Sequence, residues 1–178
     1  MLKLKSLLSV ATVAIILFST SAFAFVGTKK KQATFKVRIE NIAASELESA
    51  DGSRYPFALS PGLFIVNHKK QYFFDEGKKA SMALELQAED GNPEVLFREL
   101  LTKVGGIYSG IFNTPVGAEK PGPLLPGGSY EFSFSAEEGM KLNLIAMFGQ
   151  SNDLFYAPKS SVDLFDKDGN PLSGDITS

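Results

Sequence analysis

Three stretches of this chain alternate apolar and polar residues with a period of two. They are Phe35, Val37 and Ile39; Tyr130, Phe132 and Phe134; and the run from Lys141 to Phe148. A period of two is that of a strand with one face buried, because successive side chains leave a strand on opposite sides. The pattern predicts a mainly β chain. Strands are expected over Ala33–Asn41, Leu63–Val66, Ser129–Ser135, Lys141–Phe148 and Val162–Phe165. The second lies in an apolar stretch broken by Ser60-Pro61-Gly62. Glu138-Gly139 would turn the third long strand back on the fourth as a hairpin.

Between these strands the composition changes. Met82, Leu84, Leu86 and Ala88, stopped by Glu89-Asp90-Gly91, read as a short helix with Gly91 as its terminal cap. Asn92-Pro93-Glu94 opens a second helix. Asn caps, Pro fits the first helical position and Glu suits the dipole. Its stripe of Val95, Leu96, Leu100 and Val104 runs to Gly105-Gly106. Residues 43–54 and the Gly- and Pro-rich 105–128 read as loops. No phosphate-loop spacing occurs in the latter.

The N-terminus has the form of a signal peptide. Lys3 and Lys5 give a basic start, Leu7 to Phe18 an apolar core, and Ala22-Phe23-Ala24 the small residues read at cleavage. Residues 1–24 are thus expected to be a leader and 25–178 one domain, periplasmic or extracellular. No later stretch is long and apolar enough to span a bilayer. Cleavage takes the formal charge from -2 to -4. That balance gives no footprint for nucleic acid. With no cysteine, stability cannot rest on disulfides.

Few residues offer chemistry. His68 is the only histidine, so a triad or a histidine zinc site would depend on it alone. Asp153, in the polar loop Gly149-Gln150-Ser151-Asn152-Asp153, either caps the loop or binds a hard cation. Asp166, Asp168 and Asn170 are spaced like the start of a calcium loop. Pro171 and Thr177 stand where that loop needs Gly and Glu, so a hairpin turn is the competing reading. Glu89, Asp90 and Asp153 are the carboxylates that a glycosidase would have to use.

An ordered set of short pieces resembles the spondin N-terminal domain family, in its exported bacterial form. They are Phe35 to Ile42, Leu59-Ser60-Pro61-Gly62 to His68, Gly77, Ala80-Ser81 and Ala88-Glu89-Asp90-Gly91. Then come Pro126-Gly127, Ala146-Met147-Phe148 with Ser151-Asn152-Asp153-Leu154-Phe155, Leu164-Phe165-Asp166, and Gly169 to Thr177. The resemblance implies an antiparallel C2-like β-sandwich with one or two short helices between strands. It implies an adhesion-type module that can carry calcium at its loop end. Asp153 matches the family's first acidic ligand. The later Asp-Ala-Gly-Thr-Asp/Glu segment is absent, so the domain is expected to lack the family's last strand or strands and part of the calcium site.

The function expected is therefore an exported, non-enzymatic binding module whose partner is a protein, a glycan or a surface. Asp153 is its candidate calcium ligand, with Asp166 and Asp168 as further candidates. An exported hydrolase is the alternative, and a structural envelope protein without ion or ligand a third reading.

Overall fold

The computed structural model describes residues 13–21, 30–43, 46–68, 73–104 and 108–177. The basic start at Lys3 and Lys5, the cleavage motif at 22–24, Lys29 and the Gly105-Gly106 stop lie outside them. In chain order the elements are β1 (Val13–Ser21), β2 (Gln32–Asn41), β3 (Glu46–Glu48), β4 (Arg54–Pro56) and β5 (Leu59–Asn67). Helices α1 (Met82–Glu89) and α2 (Glu94–Val104) follow. Then come β6 (Tyr108–Phe112), β7 (Ser129–Glu137), β8 (Lys141–Phe148), β9 (Phe155–Tyr156), β10 (Val162–Asp163) and β11 (Gly174–Thr177).

Two antiparallel sheets carry the fold. One has the order β11-β1-β2-β7, and the other β10-β8-β5-β6, with β9 added on β8. Their facing sides form one aromatic-rich core. Phe35, Val37 and Ile39 from β2 and Tyr130 and Phe134 from β7 meet Phe64 and Val66 from β5 and Leu142 and Leu144 from β8. Phe64 stacks on Phe132 across the layers at 4.1 Å. The second sheet is covered on its other face by the helices. Leu63, Ile65 and Ile145 pack there against Leu84, Leu96 and Leu100.

The helices begin and end as their sequence dictates. Ser81 Oγ accepts the Leu84 N–H at 3.2 Å and caps α1. Gly91 takes φ 62°, and the Asn92 N–H returns to the Leu86 carbonyl at 3.2 Å. Asn92 Oδ1 then accepts the Glu94 N–H at 3.0 Å and opens α2.

The expected hairpin of β7 and β8 does not form. The two strands belong to different sheets, β7 beside β2 and β8 beside β5. The reason is burial. Strand β8 is covered on both faces, with Leu142 and Leu144 in the inter-sheet core and Ile145 under the helices. Only a central strand of the helix-covered sheet offers that environment. The Glu137–Met140 turn therefore crosses from one layer to the other.

Two expected loops contain strands. Residues 43–54 include β3 and the start of β4, folded over the Asp51-Gly52 turn, where Asp51 Oδ1 accepts the Ser53 N–H at 2.9 Å. In 105–128, β6 pairs with Gly62–Val66. Its Gly110 lies against the Phe64 ring, which a Cβ there would approach to 2.8 Å.

Ser60-Pro61-Gly62 does not break β5. It forms a bulge within it. Pro61 offers no N–H, and Ser60 Oγ fills in by accepting the Met147 N–H at 2.9 Å. Buried Gln87 of α1 donates to the same Oγ at 3.2 Å.

Val13–Ser21, part of the expected leader, pairs with β2 over nine positions and with β11 over four. No helix among the described residues is long and apolar enough to cross a membrane.

Candidate functional site

The sequence candidates fall at two ends of β8. Asp153 lies in the loop that follows Phe148 and is exposed. That loop is closed by Ser151, whose Oγ donates to the Phe148 carbonyl at 2.6 Å and accepts the Leu154 N–H at 3.3 Å. Loop capping is thus done by Ser151. Asp166 and Asp168 belong to the other end. Gly169, between them and Asn170, packs against Glu138, which precedes β8. The eight residues of β8 separate the two groups by roughly 25 Å. One ion cannot take Asp153 together with Asp166 or Asp168.

Asp166 has a full set of internal partners. Its Oδ1 accepts the N–H groups of Asp168 and Asn170, each at 2.8 Å, and its Oδ2 accepts Asn170 Nδ2 at 3.0 Å. The bonds from Asn170 hold its carboxyl below the ordinary value, with the Asp168 N–H and the charge of Lys31 adding to the effect. Lys31 Nζ also donates to the Asp168 carbonyl at 2.8 Å. This is a turn closed by an aspartate.

Calcium needs six to eight oxygen ligands. Among the described residues no three His, Cys, Asp or Glu side chains converge. The described acidic residues therefore form no carboxylate-built calcium site. Glu89, Asp90 and His68 are all exposed.

A different group of side chains does converge. A cleft of about 500 Å³ opens at the start of β8. Its walls are Phe74, Asp75 and Glu76 from the β5–α1 connection and Lys159, Ser160 and Ser161 from the segment before β10. Lys141 and Asp163, opposite one another on β8 and β10, form an ion pair in its lining. Behind the wall, Ser161 Oγ donates to Asn143 Oδ1 at 2.8 Å. Asn143 is 3% exposed, and its Nδ2 has no partner among the described residues.

Phe74 rests on Phe155 with ring centroids 5.3 Å apart. A second cleft of about 440 Å³ shares Phe74 and Asp75 with the first and is lined also by Phe155, Lys78, Lys79, Ser81, Glu99 and Lys103. Lys103 and Glu99 are paired with each other. Asp75, Glu76, Lys78, Lys79 and Lys159 are all exposed, so charges of both signs face solvent at the rim.

Sequence reasoning did not single out these residues. The usable signal was the polar run Lys159-Ser160-Ser161 between two short apolar segments. Its pairing with residues 74–76 depends on tertiary structure.

Comparison of the chain with protein-family models, with curated proteins and with solved structures returns no match. The likeness to spondin N-terminal domains rests on the residues quoted above.

Proposed function

We propose that this chain is an exported, non-enzymatic binding module of the C2-like, spondin type. The observation that carries the reading is the double cleft around Phe74. It brings together exposed Asp75, Glu76, Lys78, Lys79 and Lys159, the serines 160 and 161, and the Phe74 ring. A cleft with a few convergent polar groups and an apolar wall is the usual form of a recognition site. Four further lining charges are paired, Lys141 with Asp163 and Lys103 with Glu99. Calcium plays no part in this reading, because the candidate carboxylates are dispersed.

Export is supported by the leader-like residues 1–24. The test is fractionation of bacterial cells producing the full chain, with mass measurement of the recovered protein. Release by osmotic shock with Phe25 as the first residue is expected. Recovery in the cytoplasm with Met1 to Ala24 intact would contradict export.

A further inference from the structure

We infer that the exported chain binds an extended apolar segment of another protein, added as a strand in the place that Val13–Ser21 fills here. This rests on the exported binding-module reading, through loss of residues 1–24. It assigns that module a second surface and the chemistry of its partner.

The place is a slot with two walls. Val13–Ser21 pairs with β2 over nine positions on one side and with β11 over four on the other. Both pairings are antiparallel, so β2 and β11 run in the same direction with one strand between them. Loss of residues 1–24 removes that strand and frees the backbone groups that faced it. An open edge of this kind takes an extended peptide by main-chain hydrogen bonding, with alternate side chains giving specificity.

The walls select the occupant. β2 is already paired with β7 from Gln32 to Glu40. The β2 of a second copy therefore has one open edge and cannot meet both walls. β11 has four residues, so closing it onto β2 would leave most of the nine positions uncovered. A segment with both edges unpaired meets β2 and β11 together, as Val13–Ser21 does.

The faces of β2 set the chemistry of that segment. Opposite residues of an antiparallel pair lie on the same face. Alternate positions of the occupant therefore share the face of Ala33, Phe35, Val37 and Ile39, each at most 3% exposed and part of the inter-sheet core. They call for apolar side chains. The positions between share the face of Lys36, Arg38 and Glu40. There Lys36 is paired with Glu131 at 2.6 Å, and Arg38 with Glu131 at 2.9 Å and with Glu40 at 2.5 Å. That face is balanced and asks for no charge. Val13–Ser21 has neither a charge nor a proline, which would remove a ladder donor.

The experiment uses the cleaved chain recovered from bacteria producing the full chain, its first residue fixed by mass. The probe is a labelled peptide with the sequence of Val13–Ser21 and added terminal lysines for solubility, followed by anisotropy and by amide hydrogen exchange. Saturable binding, slower exchange over residues 32–41 and dispersal of self-associated chain are expected. The same peptide with Leu17→Pro should bind roughly tenfold more weakly or worse. Because the cleaved chain can need an occupant to stay folded, a full chain carrying a specific protease site within residues 25–29 is cut while folded. It should hold its leader fragment and exchange it for the labelled peptide. No binding by folded cleaved chain, binding without protection of residues 32–41, or association that the peptide leaves unchanged would overturn the inference while export stands. So would a cut chain that takes up no peptide. Recovery only with residues 1–24 attached would overturn export and this inference together, since the slot then stays filled.

Discussion

Asn170 donates both its backbone N–H and its side-chain Nδ2 to the carboxylate of Asp166, at 2.8 and 3.0 Å. The pair decides how Asp166-Lys167-Asp168-Gly169-Asn170 is read. A carboxylate occupied by the turn's own donors is closing the turn. Asp166→Ala should lower the unfolding midpoint, and Asp166→Asn should retain more of it through the remaining oxygen. The folded Asp166 pKa lies below the ordinary value, so the ionised form favours folding. Its contribution is complete above the ordinary carboxylate range and is lost as pH falls through the lowered value. The gap between wild type and Asp166→Ala should therefore close in acid, measured by thermal unfolding across pH.

Calcium should leave the chain unmoved. Asp153 and Asp166 sit beyond opposite ends of β8, and an ion that binds only the folded state must raise its stability. Thermal midpoints in millimolar calcium and in chelator should coincide, for wild type and for Asp153→Ala. A calcium-dependent rise abolished in Asp153→Ala would contradict this placement.

Ser60 is the polar anchor of the β5 bulge. Its hydroxyl accepts from Met147 N–H and from Gln87 Nε2, and it is 7% exposed. Ser60→Ala strands a backbone N–H in the interior, a loss of about 1–3 kcal/mol. Gly62 allows no side chain at all. A Cβ there would stand 2.2 Å from the Ile145 carbonyl oxygen and 2.4 Å from the Phe112 ring. Gly62→Ala should cost about 2–3 kcal/mol in denaturant unfolding. A loss under half that would show that β5 and β8 separate easily.

Strand β2 has no Pro, no Gly and no bulge against either neighbour. Of the devices that protect sheet edges it carries only charged side chains, Lys36, Arg38 and Glu40. Leaving out β1 uncovers nine backbone positions on it. A chain starting at Phe25, the form that the expected cleavage leaves, should therefore associate in a concentration-dependent way, read by sedimentation. In the full chain, Leu17 and Val37 are register partners. With no native cysteine to compete, a Leu17→Cys/Val37→Cys chain should oxidise to an intrachain disulfide. Failure to form it would contradict the β1–β2 pairing.

The legible parts of the fold were those governed by local rules. Alternation placed β2, β7 and β8. Ser81, Gly91 and Asn92 marked the helix ends by the side-chain and φ preferences they satisfy here. What escaped depends on partners distant in sequence. Gly110 looks like loop chemistry, yet it sits in β6 because the Phe64 ring needs its space. Ser60-Pro61-Gly62 looks like a strand break, yet Met147 and Gln87 hold it within β5. Glu138-Gly139 looks like a hairpin turn, but burial of β8 on both faces sends it to the other sheet. The cleft was hidden for the same reason. Its two walls come from residues more than eighty positions apart and meet only once β8 and β10 have paired.

The absence of turnover separates the proposed module from a hydrolase. The full chain would be held for a day with end-labelled cellotetraose, chitotetraose and maltotetraose, and the label then resolved by size. Recovery of every label at its starting length is the predicted result. Shorter labelled fragments from wild type, absent with Asp75→Ala or Asp163→Ala, would show the cleft to be catalytic and contradict the proposal.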